Sequence, residues 1–284
     1  MTFEQEVRKY EKLCDQNDVP RETVMAYLVE LSQQERYNLY ANFREEMPED
    51  LRNSFEAGMA RILKQEPMAH VLGYSWFYGY KFIVNEDVLI PRPETEELCA
   101  NILARMDQYF AKNETIYCVD VGTGSGAIAI TLCKEEPHVH MMATDISQEA
   151  LVTARKNAQM NEADVQFMAG DMLQPLIEKN IRVDVLVCNP PYIPQEEKME
   201  KSVVDFEPHV ALFGGEDGLK FYREIFADCQ KVLKDKAFMA FEMGWDQRER
   251  MSQLVEKTLP GWKYEILKDM NGKDRMLFVY RNLK

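Results

Sequence analysis

No stretch of this 284-residue sequence approaches the ~18 consecutive apolar residues that a membrane span requires. There is no C-x-x-C pair either. The six cysteines (Cys14, Cys99, Cys118, Cys133, Cys188, Cys229) are scattered, and Cys118, Cys133 and Cys188 sit inside apolar runs, where free cysteine behaves as a small hydrophobe. Disulfide frameworks and zinc sites are thereby disfavoured, and no metal is expected. Of only four histidines, His138 and His140 flank a valine at the start of an expected strand, with no third ligand nearby. The chain also lacks a basic excess. Lys and Arg number 34 against 48 Asp and Glu, a net charge of −14, and residues 1–80 hold 9 basic against 14 acidic side chains. Affinity for nucleic acid comes largely from neutralising phosphates, so neither DNA nor RNA is expected as the dominant partner. The first thirty residues alternate charged with apolar groups, unlike a signal peptide, and the expected location is the cytoplasm. What is present, 46% hydrophobic, 11% aromatic and 29% charged residues, is the composition of a soluble globular chain of one large domain or two.

Along the chain, apolar positions at three- and four-residue spacing predict helices over 3–16, 20–31, 33–43 and 49–64. Ser32-Gln33-Gln34-Glu35 fits a capping box that would start the third of them. Residues 71–84 (VLGYSWFYGYKFIV) are rich in aromatic and β-branched groups, with Gly73 and Gly79 as breaks, and predict a hairpin. Beyond it, strand and helix signals alternate: helix 94–111, strand 115–121, helix 125–135, strand 139–145, helix 147–160, strands 164–169 and 182–188, helix 217–234, strand 236–243, helix 247–258. Two final strands, 261–267 and 275–281, meet around Asn271-Gly272. The expectation is an α/β fold: a doubly wound, mostly parallel seven-stranded sheet with an antiparallel edge. A helical domain over residues 1–70 precedes it. A hairpin linker over 71–90 carries the domain change near residue 85, and the sheet domain spans 91–284.

Two motifs carry chemistry. Strand IYCVDV runs into Gly122-Thr123-Gly124-Ser125-Gly126 and then directly into an apolar helix. Glycines there allow positive φ and close backbone approach to a ligand facing the helix's free N–H groups. Asp145 ends the next strand, where a carboxylate can accept both hydroxyls of a ribose. On these residues two cofactors stand. DVGTGSG read as a unit, with Asp120, suits S-adenosylmethionine; with Ala127 the loop also satisfies the dinucleotide pattern G-x-G-x-x-G/A. Asp171 and Met172 follow the third strand, either bordering an adenine ring or forming a solvated turn.

Strand VDVLVC ends in Asn189-Pro190-Pro191-Tyr192. Ligands of open parallel sheets sit beyond the carboxyl ends of the strands, so this tetrapeptide should face the Gly122 loop. Its chemistry suits a planar –NH2 group: the Asn189 side-chain carbonyl and the Pro190 backbone carbonyl can each accept one hydrogen, and Tyr192 offers a flat face to stack on. Such a grip aims the nitrogen's remaining lone pair at a methyl donor. No strong base is needed before the attack, because a sulfonium is already electrophilic.

DVGTGSG with NPPY resembles the class I methyltransferases that modify planar nitrogens, a class acting on nucleic-acid base amines as well as on glutamine side chains. LGYSWFYGYKFIV, VLIPRPETEEL (88–98), FEPHVALFGGEDGLKFYREI (206–225) and LKDMNGKDRMLFVY (267–280) narrow the resemblance to the peptide-chain release factor glutamine methyltransferases, over about residues 60–282. Glu94-Thr95-Glu96 favours that branch over the related ribosomal-protein glutamine methyltransferases. Met172, where an aromatic residue is frequent, and Phe206, in place of the usual tyrosine, depart from the pattern. The resemblance implies methyl transfer from S-adenosylmethionine, leaving S-adenosylhomocysteine, to the glutamine of a Gly-Gly-Gln tripeptide. Gly122 to Gly126, Asp145, Asp171, Met172 and Asn189 would contact the cofactor, and Asn189, Pro190, Pro191 and Tyr192 the glutamine. The helical N-terminal region would dock the rest of the release factor. A monomer is expected, without nucleic acid or membrane as partner.

Overall fold

The computed structural model describes residues 1–197 and 205–283, which fall into two compact units, residues 1–74 with 205–206 and residues 75–197 with 207–283. The first is helical: α1 (Phe3–Gln16), α2 (Glu22–Ser32), α3 (Arg36–Ala41), α4 (Glu49–Ile62) and α5 (Met68–Leu72). Its core centres on buried Phe55 of α4, which Tyr10 meets edge-on at 5.3 Å and Tyr27 stacks on at 5.8 Å.

Two local expectations fail here for identifiable reasons. The capping box lies at the start of α1, where Thr2 and Gln5 bond each other's backbone reciprocally, and not at Ser32. Ser32 is the last residue of α2; its hydroxyl bonds back to the Val29 carbonyl, and Gln33 turns left-handed (φ 54°) to end that helix. Val71 and Leu72, expected to open the hairpin, close α5 instead, because Gly73 takes the left-handed conformation that stops a helix.

The second unit opens within the hairpin β1 (Tyr74–Phe77) and β2 (Tyr80–Ile83), from Ser75 onward. Tyr78 and Gly79, both at positive φ, make the tight turn whose twist matches the strands. Phe77 and Phe82 are buried in the core of the sheet unit. That packing makes the hairpin part of the larger unit and sets the change of unit ahead of the expected boundary near residue 85.

There follow α6 (Pro93–Tyr109), β3 (Ile116–Val121), α7 (Ala127–Glu135), β4 (Val139–Asp145), α8 (Gln148–Met160), β5 (Val165–Ala169), α9 (Gln174–Glu178) and β6 (Val183–Cys188). After the 205–215 stretch come α10 (Lys220–Val232), β7 (Leu233–Glu242), α11 (Arg248–Thr258), β8 (Lys263–Lys268) and β9 (Asp274–Arg281). The sheet runs β5-β4-β3-β6-β7-β9-β8. Its first five strands are parallel, and β9 is antiparallel to both neighbours. Burial on both faces explains why β6 is buried throughout and reads as a continuous apolar run around Asp184. Asp184 is held there by the Tyr117 N–H and the Lys234 ammonium. The strand order reverses between β3 and β6, and at such a switch the loops leaving two strands part to form a crevice.

Candidate active site

Both chemical motifs leave the sheet at that switch, the glycine loop from β3 and Asn189 from β6, and they line one cavity of about 270 Å³. Gly122 (φ 73°) and Gly124 (φ 54°) are left-handed, and a Cβ added to either would meet no protein atom within 4 Å. The cavity floor is therefore bare backbone, open to close contact with a ligand. Gly126 plays a different part and does not line the cavity. A Cβ there would come within 3.0 Å of Ile130 and 3.3 Å of Ala154, so this glycine serves the packing of α7 on α8.

Two polar side chains hold the loop from beneath. Asp145 Oδ2 accepts the Gly124 N–H at 2.8 Å, and its Oδ1 accepts the Ser147 N–H at 2.9 Å. Burial raises the Asp145 carboxyl above its ordinary value, against the pull of those backbone donors. The amide of buried Asn157, on α8, donates to the Ser125 carbonyl at 2.8 Å. It also closes a two-way pair with the Ile83 backbone. Under the loop, fully buried Asp120 accepts the Thr123 hydroxyl at 2.6 Å, and burial pushes its carboxyl up to about 7.

Asp171 and Met172 line the far side of the cavity beyond β5, with Met172 at positive φ. Asn189 and Pro191 line it from β6. Pro190 is buried and, with Tyr192, stands outside the lining. Tyr192 points its hydroxyl at Glu242 (3.2 Å), and its carbonyl is held by the Gln247 side chain at 3.0 Å. The structure thus brings together Gly122, Thr123, Gly124, Ser125, Asp145, Asp171, Met172, Asn189 and Pro191, but not Gly126, Pro190 or Tyr192.

Sequence reasoning missed one wall altogether. The start of α6 supplies Arg92, its N-cap, and Thr95, in its first turn. Arg92 is paired with buried Glu207, whose other oxygen accepts the Ile90 N–H at 3.1 Å. That pair ties the PRPETE turn to the 207–215 stretch, which itself pairs with Ile193 through two backbone bonds, Ile193 N–H to Leu212 O and Gly214 N–H to Ile193 O. The available signal was the dense, charged PRPETE segment, whose partners lie more than a hundred residues away.

The lining carries the carboxylates Asp87, Asp145, Asp171 and Glu224 against the cations Arg92 and Lys220. That balance suits a cationic ligand better than a pyrophosphate. A bare glycine floor and a lining richer in carboxylates than in cations, with Asp145 at the end of β4 among them, fit S-adenosylmethionine.

A family model described as Methyltransferase small domain matches residues 101–206, and one described as PrmC N-terminal domain matches residues 7–73. The release factor glutamine methyltransferase of Bacillus cereus is 42% identical over 260 residues, covering 91% of this chain and 90% of its own. The protein of the same name from Bacillus subtilis is 44% identical over 252 residues, covering 87% and 88%. A solved methyltransferase structure from Pyrococcus furiosus superimposes with a TM-score of 0.54 at 16% identity, over 80% of this chain and 98% of that one, a likeness of fold alone.

Proposed function

The chain belongs to the release factor glutamine methyltransferases, and on that premise we propose that it methylates the side-chain amide of the glutamine in the Gly-Gly-Gln tripeptide of a release factor, using S-adenosylmethionine held in the cavity at the β3–β6 switch. The observation that carries the reading is that the glycine loop and Asn189 open on the same cavity. Gly122 and Gly124 would lie against the cofactor, Asp145 would accept from its ribose, and Asp171 and Met172 would border its adenine. When bound, S-adenosylmethionine supplies a methyl group on a positively charged sulfur.

The chain's own residues do the rest by placement. A glutamine amide nitrogen is a poor nucleophile because its lone pair is shared with the carbonyl. The Asn189 side-chain oxygen would accept one of its hydrogens. The Pro190 carbonyl, although Pro190 stands outside the cavity lining, would accept the other once the glutamine enters, fixing the rotation at which the nitrogen faces the methyl group. Pro208, Val210 and Ala211 of the 207–215 stretch line the cavity, and against bound ligands these apolar groups would displace water and strengthen each of these contacts.

The helical unit of residues 1–74 would dock the remainder of the release factor; its exposed aromatics Tyr37 and Tyr40 on α3 support a protein-binding face. Among the described residues no helix is long and apolar enough to cross a membrane. With a translation factor as substrate, we place the enzyme in the cytoplasm and expect it to act as a monomer.

Incubating purified release factor with the protein and S-adenosylmethionine, followed by peptide mass spectrometry, tests the reading. One added methyl group on the Gly-Gly-Gln glutamine is expected. Methylation elsewhere, or none, would overturn it.

A further inference from the structure

From the cavity wall a chain of hydrogen bonds runs inward from Asn189 through Thr95 to a buried carboxylate. The Asn189 Nδ2 donates to Thr95 Oγ1 at 3.3 Å, and the Thr95 hydroxyl donates to Glu242 Oε2 at 2.6 Å. The Tyr192 hydroxyl donates to the other oxygen, Glu242 Oε1, at 3.2 Å. Thr95 is 5% exposed and Glu242 2%, so water does not substitute for any of these partners. The four residues come from three places, Thr95 from the first turn of α6, Glu242 from the end of β7, and Asn189 and Tyr192 from the segment after β6, which meet only in the folded sheet.

Donor and acceptor counting gives this chain a direction. An ionised carboxylate only accepts, so the single hydroxyl hydrogen of Thr95 is committed to Glu242. Thr95 Oγ1 can then serve Asn189 only as an acceptor. Of the two ends of the Asn189 amide, the –NH2 end alone satisfies it, and the carbonyl end is left for the cavity that Asn189 lines. Burial raises the Glu242 carboxyl above its ordinary value, while the Thr95 hydroxyl, the positive charge of Arg275 and the Tyr192 hydroxyl oppose that rise and favour the acceptor form.

We propose that Thr95 and Glu242 are positioning residues that hold the Asn189 amide with its oxygen toward the substrate's –NH2 group. Neither touches the reacting atoms. Without them the Asn189 side chain can turn over, presenting a donor to a donor. This inference rests on the reading of Asn189 given above, and it extends that reading to two residues that no local motif connects with it.

The test is a comparison of variants in two backgrounds. Thr95→Val keeps the side chain's shape and deletes the hydroxyl; Glu242→Gln introduces a donor where the chain requires an acceptor. Each should lower kcat by about tenfold or more while leaving the affinity for S-adenosylmethionine within about twofold. Thr95→Ser, which restores the hydroxyl, should recover most of the loss. In an Asn189→Ala background, Thr95→Val should have no further effect on kcat, because its target is gone. A folding defect would lower the rate in both backgrounds, so equal losses in the two overturn the proposal. Wild-type kcat in both Thr95→Val and Glu242→Gln does so too. Near-normal activity of Asn189→Ala alone would overturn the underlying reading of Asn189, and this one with it.

Discussion

Asn157, on α8, reaches the backbone carbonyl of Ser125 in the glycine loop, 2.8 Å from its amide nitrogen, while pairing both ways with the backbone of Ile83. One buried side chain thereby couples the hairpin to the floor of the cofactor cavity. Asn157→Ala leaves the Ile83 N–H and two carbonyls without their partners. At roughly 1–3 kcal/mol for a stranded buried group, the fold should lose at least about 2 kcal/mol. Thermal unfolding should show a lower Tm, and calorimetry a weaker grip on S-adenosylmethionine. Unchanged values in both would show that the loop is organised without Asn157.

Asp145 serves the loop and, in our reading, the ribose. Asp145→Ala removes charge-assisted hydrogen bonds worth roughly 1.5–3 kcal/mol, about ten- to a hundredfold in cofactor affinity. Because Oδ2 also holds the Gly124 N–H, the folded variant should show a loosened loop as well. Calorimetric titration of a folded variant is the check, and unchanged affinity would remove Asp145 from the site.

Asn189 should separate chemistry from folding. Asn189→Ala deletes one acceptor for the substrate amide, with an expected loss on the order of 3 kcal/mol in the barrier, about a hundredfold in rate. Asn189→Asp is the sharper substitution, since it sets a carboxylate oxygen against Thr95 Oγ1, whose hydrogen is already given to Glu242. We expect it to be no better than the alanine variant. Single-turnover methylation of release factor measures both; a rate near wild type in either would reduce Asn189 to a turn residue.

Asp120 makes stability depend on pH. Burial is the main cause that pushes its carboxyl up to about 7, with the Thr123 hydroxyl opposing the rise and the Asp145 charge adding to it. A carboxyl raised on folding favours the folded state while it is protonated. That contribution is complete below the ordinary value of 3.8 and is lost as the pH climbs through about 7. Relative to Asp120→Asn, the wild type should therefore lose stability between about pH 4 and 7, by on the order of 4 kcal/mol at most. Urea unfolding across that range reads the difference directly, and a constant gap would mean that Asp120 does not titrate there.

Tyr37 and Tyr40 are exposed on α3, 70% and 54% respectively. Replacing both by alanine should leave turnover of a short glutamine peptide unaltered and raise KM for whole release factor by about tenfold. Equal kinetics on the intact factor would place the docking face elsewhere.

The parts of this protein that were legible in the sequence are those encoded by short-range pattern. Helix α1 falls where its periodicity puts it, because the 3.6-residue repeat records which face is buried. Strand β4 falls where a short apolar run puts it, because a strand inside a parallel sheet is buried on both faces. The glycine loop, Asp145 and Asn189 stood out because each ends a strand of a parallel sheet, and such ends share one edge whatever the details. The short helix α9 (five residues) was not seen, being too brief to establish a period.

Tertiary structure alone decided the rest. Gly126 fits the same sequence pattern as Gly122 and Gly124, yet only the approach of Ala154 shows that it serves packing instead of the cavity. Tyr192 sits within the NPPY motif, but the position of Glu242 at the end of β7 turns its hydroxyl away from the cavity. Thr95 and Glu242 lie 147 residues apart, and Arg92 and Glu207 lie 115 apart. A hydrogen bond of that span leaves no periodic trace: it depends on which strands become neighbours, and β7 comes to lie beside β6 only when the sheet assembles. Local propensity can announce a strand and the loop that leaves it. Which side chain waits behind that loop, and which way it forces an amide to face, is set by the packing of the whole domain.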